Sequence, residues 1–437
     1  MSDEMNFDCI VVGAGPAGIS AAITLAKAGL SVVVLERGAY PGAKNVQGAV
    51  LYTHQLAEVL PDFWKDPQAA LERPITEQRT VIATEDSWVS VGYKSEKYLK
   101  EPHNCYTIIR VRFDQWFSKK AEEAGAEIYT GVTVRDVARR DGKICGVKTG
   151  DGDELLAPCV IACDGVNSIL AQKAGLIDEL KASEVALGAK EILSLPAGVI
   201  EDRFNLEKGE GAATEMFGAL TQGMLGYVFL YTNKDTLSLG VGCKLADYQK
   251  KGLRPSEHLE AIKQHPFVRR LIAGSKTLEY SSHLIPEGGM RSMPPLYTDG
   301  FLIAGDAAQM VNPAFREGSN MAMTAGKLAA ETVIEAKKAG DFSAAKLSAY
   351  EDKLKESYLW PDLEEVQDVE AWVEARSGFL DFYPKLACDL AHLRFTVDGQ
   401  PKKGHLGKAF SMIQKRGAVD LAKDAWMMLK LGKRLAV

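Results

Sequence analysis

Glycines at 13, 15 and 18 follow directly on the apolar run Phe7 to Val12, and an acid, Glu36, closes a second apolar run eighteen residues after the last of them. The chemistry open to that spacing is the grip of a pyrophosphate. The first glycine permits a tight turn, the second lets the backbone approach an anion, and the third lets a helix pack closely on a strand. The positive N-terminus of that helix then faces the anion. Glu36 would accept hydrogen bonds from ribose hydroxyls, and an acid there disfavours a 2′-phosphate, which argues against NADP. Pro16, Ala17 and Arg37 fall within the same stretch of chain.

The elements needed to present these residues arrive in the right order. Phe7 to Val12 reads as a buried parallel strand, Ile19 to Ala28 as a helix closed by Gly29, and Leu30 to Leu35 as a second strand ending at Glu36. The fingerprint alone leaves NAD and FAD both open. Two later segments bear on the choice. Cys159 to Cys163 is a strand ending in Asp164-Gly165, with Ser168 just beyond. Phe301 to Ala304 is another, ending in Gly305-Asp306, and Gly318-Ser319-Asn320 then opens an alanine-rich helix running to about Ala336.

Several chemistries are missing. There is one dinucleotide fingerprint and no CxxC pair, so a pyridine-nucleotide disulfide reductase does not fit. The seven scattered cysteines read as reduced, buried thiols of a cytosolic protein, with Cys159 and Cys163 on one strand face. The seven histidines form no HxH or HxxxH group, so no metal site is expected, and no GxSxG elbow signals nucleophilic catalysis. A net charge of -6 and a pI near 5.8 argue against nucleic acid as a partner. No apolar run is long enough to predict a transmembrane helix or a signal peptide.

The three segments together resemble the single-Rossmann flavoprotein class that includes p-hydroxybenzoate hydroxylase, geranylgeranyl reductases and electron transfer flavoprotein:quinone oxidoreductase. Within it the chain is similar to the FixC family over nearly its whole length. The likeness lies in ERGAYPGAKNVQGAVLY (36 to 52), CDGVNSILAQKAGL (163 to 176), DTLSLGVG (235 to 242), HPFVRRLIAGSKTLEYSSHLIPEGG (265 to 289) and GDAAQMVNPAFREGSNMAMTAG (305 to 326). The resemblance implies FAD as cofactor. It places Asp306 on the ribityl chain and Gly318, Ser319 and Asn320 at a helix N-terminus facing flavin N1 and O2. There a positive helix end favours the negative charge gathered on reduction. It also sets Lys44, Asn45, Val46 and Gly48 beside the isoalloxazine, Arg110 near the phosphates and ribose, and the Val134 backbone at the adenine. Asp164, Gly165 and Ser168 complete the implied set. No side chain is implied as a catalytic acid or base, because the flavin performs the redox step. Gln309 and Arg316-Glu317 depart from the family pattern and bear on the flavin potential.

The implied fold is α/β: a Rossmann-type FAD-binding domain, an inserted mixed β-sheet substrate domain and a helical C-terminal region. Motifs near 13, 164 and 306 make the FAD-binding domain discontinuous, over 1–75, 110–179 and 286–340. The insertions are 76–109 and 180–285, and the helical region is 341–437. Strands are expected at Val185 to Leu193, Gly226 to Tyr231 and Thr236 to Cys243, with a helix from Ser256 to Leu271.

The implied partners are electron transfer flavoprotein subunits, a quinone and a ferredoxin-like iron-sulfur subunit, within a FixABCX/EtfABCX-like complex. Only Cys388 follows Cys243, too few for a four-cysteine cluster, so the cluster is expected on a separate subunit. A geranylgeranyl-type lipid reductase is the next reading, but its YxWxFP element is matched here by Gly226 to Tyr231, without Trp or Pro. An aromatic monooxygenase would need a polar pocket, whereas the inserted strands read as mainly apolar residues and glycine. From Lys402 onward Lys402, Lys403, Lys408, Lys415, Arg416, Lys423, Lys430, Lys433 and Arg434 face only Asp420 and Asp424. With Phe410, Trp426, Met427 and Leu429 between them, they suit an acidic partner or the cytoplasmic face of a membrane, where the protein would be peripheral.

Overall fold

In the computed structural model, which describes residues 6–45, 48–399 and 401–435, the first apolar run forms the centre of a parallel sheet. Its strands are β1 (Cys9–Val12), β2 (Val32–Glu36), β3 (Glu127–Thr130), β4 (Val160–Ala162), β5 (Tyr297–Thr298) and β6 (Phe301–Ile303), in spatial order β5-β6-β4-β1-β2-β3. Pairing is parallel throughout except at β5. β1 and β4 are buried along their whole length, which is why they read as unbroken apolar runs rather than alternating ones. The strand ends that the sequence marks, Val12, Ala162 and Ile303, lie in register side by side. Cys9, Cys159 and Cys163 are buried free thiols of this sheet.

Three helices matter to the site: α1 (Pro16–Lys27), α2 (Arg110–Glu123) and α3 (Ser319–Ala339). α1 starts three residues before the expected Ile19, with Pro16 at its first position, where a missing N–H costs nothing. α3 lies so close to α1 that a Cβ at Gly326 would overlap the Ala17 carbonyl.

The chain divides into two units: Met1–Pro74, Lys100–Val185 and His283–Glu364 form the first, and Ile75–Leu99, Ala186–Ser282 and Glu365–Val437 the second. The divisions differ from the expected 76–109 and 341–437. Strand Cys105–Ile109 pairs antiparallel with Gly48–Tyr52, which draws residues 100 to 109 into the first unit. Leu347, Tyr350, Leu354, Leu359 and Leu363, on three short helices, enter the first unit's core, so the helical tail is divided between the units.

The second unit is built on a seven-stranded mixed sheet in the order Lys276–Pro286, Val185–Ser194, Thr236–Lys244, Gly226–Thr232, Gly211–Gly218, Ile75–Ala83, Trp88–Lys94. Gly211–Gly218 and Ile75–Ala83 pair in parallel. Alternate residues Leu237, Leu239 and Val241, with Val228 and Leu230, enter a core shared with Ile200, Phe204, Leu259 and Val268. The opposite face is less apolar than the sequence suggested. It carries a row of rings, Phe217, Tyr227, Phe229 and Tyr231, with neighbouring centroids 5.0 to 6.3 Å apart, next to buried Lys190. The single helix expected from Ser256 to Leu271 is two, Pro255–Gln264 and Pro266–Ile272, because Pro266 cannot continue a helix and starts the second one.

Helices Phe382–Phe395, His405–Gln414 and Ala418–Leu435 close the second unit. They are clamped by Asp424, whose carboxylate accepts from Arg376 Nε at 2.6 Å, Arg416 Nε at 2.8 Å and the Tyr383 hydroxyl at 2.9 Å. Among the described residues no helix is long and apolar enough to cross a membrane.

Candidate functional site

The glycines of the β1–α1 turn do what their spacing demands. Gly13 sits at φ +104, and a Cβ there would overlap the Cys163 carbonyl oxygen, so only glycine lets the turn lie against the end of β4. A Cβ at Gly18 would overlap the Gly13 carbonyl, which is the close helix-to-turn packing expected of a third glycine. Gly15 is different: the nearest atom to its Cβ position is Arg110 Nη2, at 3.9 Å. The backbone at Gly15 is thus open toward a guanidinium, as an anion-binding turn requires.

Glu36 reaches back from the end of β2. Its Oε2 accepts the Ala14 N–H at 3.0 Å and its Oε1 the Gly38 N–H at 2.6 Å, which orients the carboxylate beside the turn. Arg37 is exposed, and its charge acts on Asp164 and His283. Val132 donates its N–H to the Glu36 carbonyl at 2.9 Å, and Val134 begins strand Val134–Arg140 two residues later. Lys44 is exposed and Asn45 half-buried, Gly48 starts its strand, and Val46 lies outside the described residues.

At the end of β4, Asp164 accepts the Leu170 N–H through Oδ2 at 3.0 Å, while its buried Oδ1 has no partner. Burial pushes this carboxyl up to about 6, against the pull of the Leu170 N–H. At the end of β6, burial likewise raises Asp306, with the Arg110 charge opposing. Gln309 Oε1 is a second buried acceptor with no partner. The Ser168 hydroxyl donates to the Ala307 carbonyl at 2.8 Å and so ties the β4 and β6 ends together. Gly318 caps α3, and Asn320 points back from that end, donating to Glu317 Oε2 at 2.9 Å and to the Tyr358 hydroxyl at 3.2 Å.

Three participants escaped the sequence reading. Asp114 binds both Arg110 and Asn45. Tyr358 holds Asn320 and contacts Thr324 at 3.2 Å. His283 is lowered by burial and by the charges of Arg37 and Arg110. The Arg110-to-Asp114 spacing of one helical turn was the available signal for the first. The other two had none in the sequence.

These residues fit an adenine dinucleotide carrying a polyhydroxylated chain. The turn is open to an anion at Gly15, and two buried acceptors, Asp164 Oδ1 and Gln309 Oε1, lack donors of the kind ribose and ribityl hydroxyls provide. Residues 6–356 match the FAD binding domain family, so the chain is a flavoprotein of that class and binds FAD. When bound, FAD accepts and releases the electrons; the residues around it bind, orient and set the local charge.

The particular family follows from closer relatives. The chain is 45% identical to FixC of Azorhizobium caulinodans over 92% of its own length and 93% of the relative's. It is 47% identical to FixC of Azotobacter vinelandii over 91% and 92%. To FixC of Escherichia coli K12 it is 43% identical over 97% and 98%. Residues 371–432 match the ETF-QO/FixC family C-terminal domain. The chain belongs to the FixC family of FAD-dependent oxidoreductases.

Two solved structures share the fold alone. A geranylgeranyl bacteriochlorophyll reductase-like protein from Thermoplasma acidophilum matches with TM-score 0.73 at 20% identity, covering 95% of this chain and 98% of that one. The myxobacterial chondrochloren halogenase, an FAD-dependent enzyme, matches with TM-score 0.62 at 19% identity over 95% and 91%.

Proposed function

We propose that this protein passes electrons from an electron transfer flavoprotein toward a quinone, with the iron-sulfur centre on a separate ferredoxin-like subunit of a FixABCX/EtfABCX-like complex. The observation that carries this reading is the match of residues 371–432 to the C-terminal domain shared by electron transfer flavoprotein:quinone oxidoreductases and FixC proteins. The cysteine distribution supports a cluster elsewhere, since Cys388 stands alone beyond Cys243.

The C-terminal helices support a peripheral position on the cytoplasmic face of a membrane. Leu406 and Phe410 on one helix and Trp426 and Leu429 on the next are exposed, Leu429 at 72%, among Lys402, Lys403, Lys408, Lys423 and Lys433. Lys430 lies over the Trp426 ring at 3.8 Å, and the Arg434 side chain lies outside the described residues.

The test is anaerobic mixing of the FAD-loaded protein with a reduced electron transfer flavoprotein co-purified from the same host. The flavin should bleach, and a soluble quinone should restore its colour. NADH without the partner should leave it oxidised, because the sequence holds one dinucleotide fingerprint. Direct bleaching by NADH, or no response to the partner, overturns the reading. Flotation with anionic liposomes, compared with the variant carrying Gln at Lys423, Lys430, Lys433 and Arg434, tests the peripheral position.

A further inference from the structure

Arg110 opens α2, and Asp114 stands one helical turn later on the same face. Both side chains are buried, at 8% and 1% exposure. The pair is bidentate: Arg110 Nε donates to Asp114 Oδ1 at 2.7 Å and Nη2 to Oδ2 at 2.8 Å. Oδ2 also accepts from Asn45 Nδ2 at 2.6 Å. The loop before Asn45 is pressed onto the same spot, because a Cβ at Gly42 would come within 2.9 Å of the Arg110 carbonyl and 3.1 Å of Asp114 Cβ.

This arrangement fixes a direction. An arginine at a helix start samples many rotamers, and ordering it costs entropy when an anion arrives. With Nε and Nη2 both engaged by a rigid carboxylate, the plane of the guanidinium is set before any ligand binds. Nη2 lies 3.9 Å from the Cβ position of Gly15, against the turn that receives the pyrophosphate. The same carboxylate sets Asn45, on the loop assigned to the isoalloxazine. One acid therefore joins the phosphate side of the site to the ring side.

We propose that Asp114 is a positioning residue for FAD: it holds the Arg110 guanidinium over the pyrophosphate turn and anchors the Gly42–Asn45 loop through the same carboxylate. The proposal rests on the FAD site alone and is independent of which electron partners the protein uses.

Equilibrium titration of apoprotein with FAD and with ADP tests it, using D114A, D114N, R110A and the double variant R110A/D114A. ADP carries the pyrophosphate without the ring. D114A should bind both ligands about ten- to hundredfold more weakly than wild type. In the R110A background, adding D114A should cause no further loss of ADP affinity, because the acid acts through the arginine. D114N keeps the side-chain shape and an acceptor for Asn45. It should unfold at a temperature closer to wild type than D114A does while still losing ADP affinity, and affinities compared well below each apoprotein's thermal midpoint keep a folding defect from deciding the outcome. Equal loss of ADP affinity from D114A with and without Arg110 overturns the proposal, as does wild-type ADP affinity in D114N. Since no electron partner is present, these results are unaffected by failure of the electron-transfer reading.

Discussion

Two aspartates with buried carboxylate oxygens, Asp424 in the second unit and Asp164 in the first, are handled in opposite ways. In the second unit Asp424 is held by two guanidiniums and a tyrosine hydroxyl. There too, Glu191 accepts Lys263 at 3.1 Å and Thr277 at 2.8 Å. In the first unit Asp164 keeps an oxygen buried without a donor, and Gln309 does the same with its amide oxygen. Unpartnered hydroxyls such as Ser20 and Thr214 occur in both units and do not discriminate. The lesson lies in these two carboxylates. A fully paired buried acid such as Asp424 holds elements together, whereas Asp164, whose Cα lies 3.4 Å from the Cβ position of Gly13, has an oxygen left for a ligand's donor.

The largest effect should come from breaking the most completely paired acid. Asp424→Ala leaves Arg416 without its anion and Arg376 with Asp420 alone, which should cost about 3 to 5 kcal/mol in urea denaturation. Stability within 1 kcal/mol of wild type would remove the contrast at its strongest point.

The unpaired acid should behave with the opposite sign. A carboxyl raised by burial stabilises the fold when protonated. Its contribution is complete below its ordinary value of 3.8 and is lost as pH rises through about 6. The gap between those values corresponds to about 3 kcal/mol. Relative to Asp164→Asn, apoprotein of the wild type should therefore lose about that much stability between pH 4 and pH 7, measured by denaturant titration at each pH. Parallel curves for the two proteins would show that Asp164 is not held under strain for a ligand. Asp306→Ala should do less, weakening FAD by about 1.5 to 3 kcal/mol through loss of a charged acceptor, read as a shift in the flavin dissociation constant. Unchanged flavin affinity would take Asp306 out of the site.

Legibility in the sequence was uneven within the first unit. Gly13 and Gly18 could be read because each answers a backbone constraint that no other residue meets, and the positions of Asp164 and Asp306 because they follow strands whose apolar runs are unbroken. The bond from the Ser168 hydroxyl to the Ala307 carbonyl was not legible, because the partner is 139 residues away and no local pattern reveals it. The same distance problem hid the pairing of Gly48–Tyr52 with Cys105–Ile109, and with it the end of the first insertion. Asp114 shows a different limit. An arginine and an acid four apart on a helix usually make an exposed, weak pair. Only the burial imposed by the Gly42 loop turns this one into a fixed support.

That last point separates pairing from burial, and a surface pair within the first unit can test which of them matters. Asp8 accepts Lys337 Nζ at 2.7 Å through Oδ1 and the Ser31 N–H at 3.0 Å through Oδ2, so its pairing is as complete as that of many buried acids. The lysine remains 47% exposed and the acid 27%. The Lys337 hydrogen bond holds the Asp8 carboxyl below its ordinary value, so its contribution is present above that value and fades as pH falls through the lowered one. Water and salt screen such a pair. Asp8→Asn should therefore cost only about 0.2 to 1 kcal/mol at pH 7, and less in 1 M salt. A loss approaching that of Asp424→Ala would mean that pairing itself carries the stability and would undo the contrast between Asp424 and Asp164. A small, salt-sensitive loss places the weight on desolvation, the quantity that separates Asp424 and Asp164 from every charged group on the surface.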